Sequence, residues 1–430
     1  MPAQRRILAL IAGFVAVGCA AERPDSADAQ DGETPVVCVE DNGGITLPPG
    51  FCASVFADEV GPARHIAVRE DGIVFVNLRA PRGQGWGGLL MLRDGDGDGV
   101  ADASARIDDL GGGTGVTLDG DLVYVAATTA VHRIRVPMGT MEAVGAVDTI
   151  VAHVPRSCCR GGTHQAKPLV LRDGWLYLNV GSTGNACAEA HGQPGMDPCA
   201  QLDSTGGIWR FSTEATGQMQ ADGERYATGT RNVIGLTLGP DGLLYGVQHG
   251  RDMLVSWGFS VEDNAEKPAE EMFRIEQGDD FGWPYCYYDR QLERKVLAPE
   301  YGGDGEVTGR CADKKDPIVS FPGHWGPHAI TFYEGDAFPE RYRGGAFVAF
   351  HGSWNRAPLP QGGYNVAFVP FADGEPSGDW EVFADGFAGA DVSPRGATHR
   401  PAGGAVGPDG ALYVTDDRGG RVWRIVYAGD

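Results

Sequence analysis

Six times along the chain a small polar cluster leads into an apolar run, a Gly-containing turn, and a second short run rich in Tyr, Val and Phe. The turns are Asp71-Gly72, Asp119-Gly120, Asp173-Gly174, Asp241-Gly242, Gly344-Gly345 and Asp409-Gly410. The runs after them start at Ile73, Leu122, Trp175, Leu243, Ala346 and Ala411. An Asp-Gly link between apolar runs signals a hairpin, because Gly tolerates the positive φ that the turn needs. Successive turns lie about 48, 54, 68, 103 and 65 residues apart, near the period of a propeller blade, with room for an insertion in the longest interval. No long stretch shows a helical apolar period. The pattern predicts an all-β fold, a six-bladed β-propeller over residues 45–430. Each blade sends one inner strand to a central channel, so residues at equivalent ends of the repeats converge on one place.

The residues just before each inner strand are Arg64-His65, Thr114, Thr163-His164-Gln165, Arg231-Asn232, His328 and His399-Arg400. The chain has only 10 His, and His65, His164, His328 and His399 fall in these positions. Residues that merely satisfied loop carbonyls would have no reason to recur at equivalent places. The recurrence predicts a ring of cationic and hydrogen-bonding groups at one mouth of the channel. Clustered Arg and His suit a small anionic ligand, which Arg can hold bidentately. A partly desolvated His is also the usual general base near neutral pH.

Composition narrows the picture. The 430 residues are too many for one ordinary core but natural for a radially repeated fold, and 66 Gly and 27 Pro fit short strands joined by tight turns. A formal net charge of -23 argues against nucleic acid or anionic lipid as a partner, since both need a basic footprint. The Asp94-Gly95-Asp96-Gly97-Asp98-Gly99 run places carboxylates as at the front of a calcium loop, with Asp102 following. Ala105 stands where the bidentate Glu would be, so a plain Asp/Gly turn is the other reading.

The N-terminus reads as a targeting segment. Arg5-Arg6 precede an apolar run from Ile7 to Val17, too short to span a bilayer, that ends in Ala16-Val17-Gly18-Cys19. Small residues before a Cys resemble a bacterial lipobox. Residues 1–18 are then a lipoprotein signal peptide, Cys19 the lipidated residue and 19–44 a flexible tether; an ordinary signal peptide cut nearby is the alternative. A lipid anchor there, in the outer membrane or facing the periplasm, is the expected link to a membrane. Removing Cys19 from the nine Cys leaves eight, and an even set in an exported chain reads as disulfides. Cys187–Cys199 and Cys286–Cys311 are the expected local pairs, and adjacent Cys158 and Cys159 are expected to pair elsewhere, since a ring closed between neighbours is strained.

These residues resemble the soluble pyrroloquinoline quinone (PQQ)-dependent glucose and sorbosone dehydrogenases, from about Leu47 to the C-terminus. The likeness is carried by His164-Gln165 leading to Gly181, Arg231-Asn232 with Gly235-Leu236, Gly278 through Pro284, Arg400 before Gly407-Pro408-Asp409-Gly410, and the closing Asp416-Asp417-Arg418-Gly419-Gly420 run. The resemblance implies PQQ at the channel mouth, with His164 as the base that takes the hydroxyl proton of a sugar or sugar aldehyde. It implies Arg231, Asn232 and Arg400 as cofactor contacts, joined in the ring by Gln165, Arg64 and His328. Calcium would be held partly by the backbone carbonyls near Gly250 and Arg251. Electrons would leave to an external acceptor. The chain departs from the glucose dehydrogenases at Thr163, where they carry an acid, at Ala402, where they carry a second Arg, and near His351, where they carry a Lys. Their second-blade Gln falls in the Gly111-to-Thr114 stretch. His351 or Arg356 is expected to compensate. Two other functions compete: a non-catalytic propeller scaffold, and a calcium-dependent propeller lactonase, which would need a mouth lined by Glu, Asn and Asp.

Overall fold

The computed structural model describes residues 38–79, 87–155 and 164–429. All belong to one compact unit, Val36–Asp430; the expected signal peptide and Cys19 lie outside the described residues. Six four-stranded antiparallel sheets make six blades of a β-propeller. Their inner strands are Ala63–Val68, Gly113–Asp119, Leu169–Arg172, Val233–Leu238, Pro327–Phe332 and Pro401–Val406. Each packs beside the next, and the sixth beside the first. The last blade takes its outer strand, Phe51–Ala57, from the N-terminal end, paired antiparallel with Val422–Tyr427.

The hydrophobic core is six wedges, one between each pair of blades. Strand Val74–Leu78 of the first blade shows how two-residue alternation builds them. Val74, Val76 and Leu78 join Tyr413 and Val422 of the sixth blade. Phe75 points the other way, into a cluster with Val123 and Val125 of the second. Burying both faces of every sheet explains the near-continuous apolar runs.

The tight turns sit where the sequence predicts. Asp173 (φ 52°) and Gly174 (φ 77°) form the two-residue link between Arg172 and Trp175, where both central residues need positive φ. The fifth blade differs. Its first two strands, Pro327–Phe332 and Ala346–Phe350, are joined by a longer connection that Gly344-Gly345 only closes. The connection is held by aromatic packing: Phe338 meets Phe51 and Phe347 edge to face, Tyr342 meets Phe51 edge to face and stacks on Phe347, and the Tyr333 hydroxyl donates to the Gly410 carbonyl. The longest interval does hold an insertion: the helix Val261–Glu266 ahead of strand Glu270–Ile275, and the hairpin Cys286–Asp289 with Arg294–Leu297 after it.

Cys187–Cys199 and Cys286–Cys311 are disulfides, and Cys38–Cys52 is a third. Cys158 and Cys159 lie outside the described residues. Cys38 and the turn Asn42–Gly44 are tied to the last blade, through the disulfide and the Trp423 indole donating to the Gly43 carbonyl, so the ordered fold begins ahead of residue 45. No helix among the described residues is long and apolar enough to cross a membrane.

Candidate active site at the channel mouth

Five of the six inner strands begin with a β-bulge, at Ala63/Ile66, Gly113/Val116, Val233/Gly235, Pro327/Ala329 and Pro401/Gly403. A bulge inserts an unpaired residue and re-aims its side chain. Arg64, His65, Thr114 and His328 lie within these bulges, and Arg231, Asn232 and Arg400 lie just ahead of theirs. His164 and Gln165 precede the third inner strand. The recurrence seen in the sequence is therefore a recurrence of backbone geometry.

A second ring comes from the links after the second strands of five blades; of its members the sequence pointed only to Gly250, Arg251 and His351. It supplies Arg79, Ser182, His249 to Asp252, His351 and Asp417. Its two aspartates organise the mouth.

Asp417 gathers one half. Its Oδ2 lies 2.9 Å from Arg64 Nη2 and 3.6 Å from Arg79 Nη2, and its Oδ1 accepts from His351 Nε2 at 2.6 Å. Burial pushes this carboxyl up, but Arg64 and His351 outweigh it and hold it well below the usual carboxylate range. Arg64 Nη1 also donates to His328 Nδ1 at 3.0 Å. The His328 ring stacks on His351 at 4.0 Å and on His249 at 5.2 Å, giving three near-parallel imidazoles. Burial leaves all three neutral: His351 falls to about 4, and His249 and His328 lie well below the ordinary value. Arg400 spans the same loop, donating to the carbonyls of His351 and Gly352 at 2.7 Å each.

Asp252 gathers the other half. It accepts from Arg231 Nη2 at 2.7 Å and Asn355 Nδ2 at 3.0 Å, and its Oδ1 lies 3.3 Å from His324 Nδ1. Burial again raises the carboxyl, and Arg231 with His324 outweighs it and holds it well below the usual range. His324 also donates from Nε2 to the Asn264 carbonyl at 2.5 Å. Burial lowers its pKa, but Asp252 more than compensates, so the net shift is upward.

His164 lies beside this second half. Its Nδ1 is 3.0 Å from both the carbonyl and the hydroxyl of Ser182. A carbonyl only accepts, so Nδ1 carries the proton and the lone pair sits on Nε2. Burial, reinforced by Arg231, lowers its pKa to about 3, so the imidazole is neutral across the physiological range. Gly181 separates His164 from Asn232: a Cβ there would lie 2.9 Å from the His164 carbonyl oxygen and 3.2 Å from Asn232 Oδ1, so only glycine fits.

The remaining expected residues fall as follows. Gln165 contributes its carbonyl, which accepts from Lys167. The Arg251 side chain is committed to Glu300 through two bonds of 2.7 and 3.0 Å, and the Gly250 amide donates to Glu270 at 2.9 Å. The carbonyl oxygens of Gly250 and Arg251 receive no hydrogen bond from the described residues, which suits a hard cation that takes oxygen ligands. Arg356 does not compensate at the mouth: it binds the carbonyls of Ala265, Gly323 and Pro360 and pairs with Glu266. His351 does stand at the mouth, held by Asp417. Thr163 lies outside the described residues. The Asp94, Asp96 and Asp98 carboxylates, within 4.8 Å of one another, lie in the link between strands Gly88–Arg93 and Ala103–Ile107, at the end opposite the mouth. They cap backbone amides there, Asp94 accepting from Gly97 and Gly99 and Asp98 from Val100.

Taken together, four guanidinium groups, Arg64, Arg79, Arg231 and Arg400, surround two carboxylates. The mouth thus concentrates guanidinium groups in a strongly acidic chain. Among the described residues, buried Arg64 Nε, Arg231 Nε and His249 Nε2 have no hydrogen-bond partner, as expected where a polar, anionic ligand would complete the network.

The family model described as TrAA12-like matches residues 45–428. An uncharacterized protein of Borreliella burgdorferi is 31% identical over 208 residues, covering 47% of this chain and 49% of that protein. The pyrroloquinoline quinone-dependent pyranose dehydrogenase of Coprinopsis cinerea is 27% identical over 237 residues, covering 46% of this chain and 30% of that protein. The matches thus span half or less of these curated relatives. Among solved structures, the holo form of the Coprinopsis cinerea pyranose dehydrogenase PQQ domain aligns with a TM-score of 0.72 at 20% identity, over 89% of this chain and 97% of that one. The calcium structure of the Trichoderma reesei family AA12 enzyme gives 0.73 at 19%, over 89% and 97%. The PQQ-bound aldose sugar dehydrogenase of Streptomyces coelicolor gives 0.55 at 16%, over 89% and 99%. At these identities the structural likeness shows the shared propeller fold.

Proposed function

The chain belongs to the TrAA12-like family, and from that premise we propose that it is an exported PQQ-dependent oxidoreductase of a sugar or sugar aldehyde, of the aldose or sorbosone type. The observation that carries this reading is the set of guanidinium groups, Arg64, Arg231 and Arg400, gathered at a mouth that also holds a neutral, oriented His164. PQQ is a tricarboxylate, and Arg64, Arg231 and Arg400 with Asn232 are the groups suited to hold it. When bound, the quinone supplies the sink for the hydride and its two electrons, which an external acceptor then removes. The chain's own part is to bind, orient and move a proton. The lone pair of His164 Nε2 takes the proton of the substrate hydroxyl, while the bond from Nδ1 to Ser182 fixes the tautomer. Burial keeps His164 unprotonated well below neutral pH, so the base is ready without prior proton loss. The carbonyls of Gly250 and Arg251 are the proposed calcium ligands. Cys19 is the proposed lipid anchor, and the three disulfides support an oxidising compartment.

The test has two steps. Purified protein is titrated with PQQ and calcium, reading quinone absorbance, and then assayed with an artificial acceptor on a panel of aldoses and ketoaldoses. His164→Ala should retain PQQ and lose about 10²–10⁴-fold in turnover. Near wild-type turnover in that variant removes His164 from the mechanism, and no uptake of PQQ by the wild type overturns the reading. One observation favours a second reading, a propeller that binds without cofactor chemistry: Arg64 and Arg231 are already neutralised by Asp417 and Asp252.

A further inference from the structure

Lys167 stands three residues after His164, immediately ahead of the third inner strand. It is 1% exposed. Among the described residues its ammonium makes one hydrogen bond, 3.4 Å long, to the Gln165 carbonyl, and no carboxylate pairs with it. An ammonium carries three donors, and burying it without a counter-charge is among the costliest placements a side chain can have. The other buried lysine, Lys295, shows the usual solution: it pairs with Glu271 at 2.7 Å. Burial lowers the Lys167 pKa to about 8, so most of the population is still charged at neutral pH. That charge acts on His164. A buried cation with one long hydrogen bond among the described residues, three positions after the candidate base, calls for an anion that arrives from outside the chain.

We infer that Lys167 is a ligand-anchoring residue, whose ammonium completes its hydrogen bonds with a carboxylate of the quinone cofactor on the His164 side of the mouth. The inference rests on the PQQ reading above and adds a contact from the third blade, where that reading has none but the base itself. Arg64, Arg231 and Arg400 already have partners, so Lys167 is the cation whose environment changes most when the ligand binds. Two consequences follow for the unliganded chain. Replacing Lys167 by an uncharged side chain of similar length removes an unpaired buried charge, so the free protein should be no less stable. The same replacement removes a charge-assisted bond from the complex, so binding should weaken.

The experiment compares wild type, Lys167→Met and, as a second variant in case Met packs badly, Lys167→Gln. Each is titrated with PQQ by equilibrium dialysis and melted with and without PQQ. The expected result is an unliganded Tm equal to or above that of the wild type, a PQQ Kd about 10- to 100-fold weaker, and a smaller PQQ-induced rise in Tm. Wild-type affinity within twofold in both variants, with PQQ bound by the wild type, overturns the role of Lys167 and leaves the cofactor reading standing. A fall in unliganded Tm with unchanged Kd assigns Lys167 a structural role instead. Failure of the wild type itself to take up PQQ overturns both readings together.

Discussion

The two halves of the mouth solve the same electrostatic problem differently. Asp417 is sealed: its side chain is 3% exposed, and from one position it pairs with Arg64 and Arg79 and accepts a hydrogen bond from His351. Asp252 is more open, at 18%, and shares its load with amides, Asn355 on its carboxylate and Asn185 on its backbone. The histidines differ in sign as well. Beside Asp417 the imidazoles are neutral and stacked, whereas beside Asp252 His324 contacts acceptors through both nitrogens and favours the charged form. Charge at this mouth is thus held rigidly on one side and adjustably on the other, and His164 lies on the adjustable side.

The largest effect should come from breaking the sealed half. Asp417→Ala leaves Arg64 buried without its carboxylate, and the loss of folding free energy measured by urea denaturation should be about 3–5 kcal/mol. Asp252→Asn keeps the shape and part of the hydrogen bonding in a partly exposed place, so about 1–3 kcal/mol is expected. Equal losses for the two would erase the distinction.

Acid should separate the halves further. Protons taken up by the unfolded chain but refused by the folded one destabilise it, by about 1.4 kcal/mol per pH unit per group. His65 and His351 at about 4 and His164 at about 3 are such groups, so stability should fall as pH drops from about 6.5 towards 4. His324 has the opposite sign. Its raised pKa contributes stability that is fully present below about 6.5 and lost as pH rises through the folded value. His351→Gln should therefore cost more at pH 8 than at pH 5, and His324→Gln more at pH 5 than at pH 8. Thermal melts at the two pH values read the difference directly. The smallest effect belongs to the far end of the channel, where Asp94 caps two amides in an exposed turn: Asp94→Ala should cost about 1 kcal/mol in the same melts.

Much of this was legible in the sequence, for a definite reason. The Asp-Gly turns and the apolar runs around them are local, so they mark the first two strands of a blade without reference to the rest of the chain. Arg64, His164, Arg231, His328 and Arg400 could be read as one set because each precedes such a strand. Asp252 and Asp417 were hidden because they follow the second strand, in links of very different length, and because their partners are remote: Arg64 and Asp417 come from opposite ends of the chain. Applying the same equivalence argument to the residue after each second strand would have found Arg79, Ser182, His249, His351 and Asp417 as a group. The misplaced role of Arg356 has another cause. Its partners, the carbonyls of Ala265 and Gly323, belong to the fourth-blade insertion and its return, which no repeat predicts.

The closure of the ring sets an order of events for a chain made from one end. Strand Phe51–Ala57 is synthesised before every other strand of the propeller, yet its partner Val422–Tyr427 is the last of them. At ribosomal rates of about 5–20 residues per second, roughly 20–75 s separate the two. For all that time an apolar strand with a Phe at its start has no edge to join, while the blades behind it accumulate. The Cys38–Cys52 bond and the turn at Asn42–Gly44 give that waiting segment local structure of its own. The site at the mouth is completed by the same final step, because Arg64, in the first blade, meets Asp417 only when the last blade arrives.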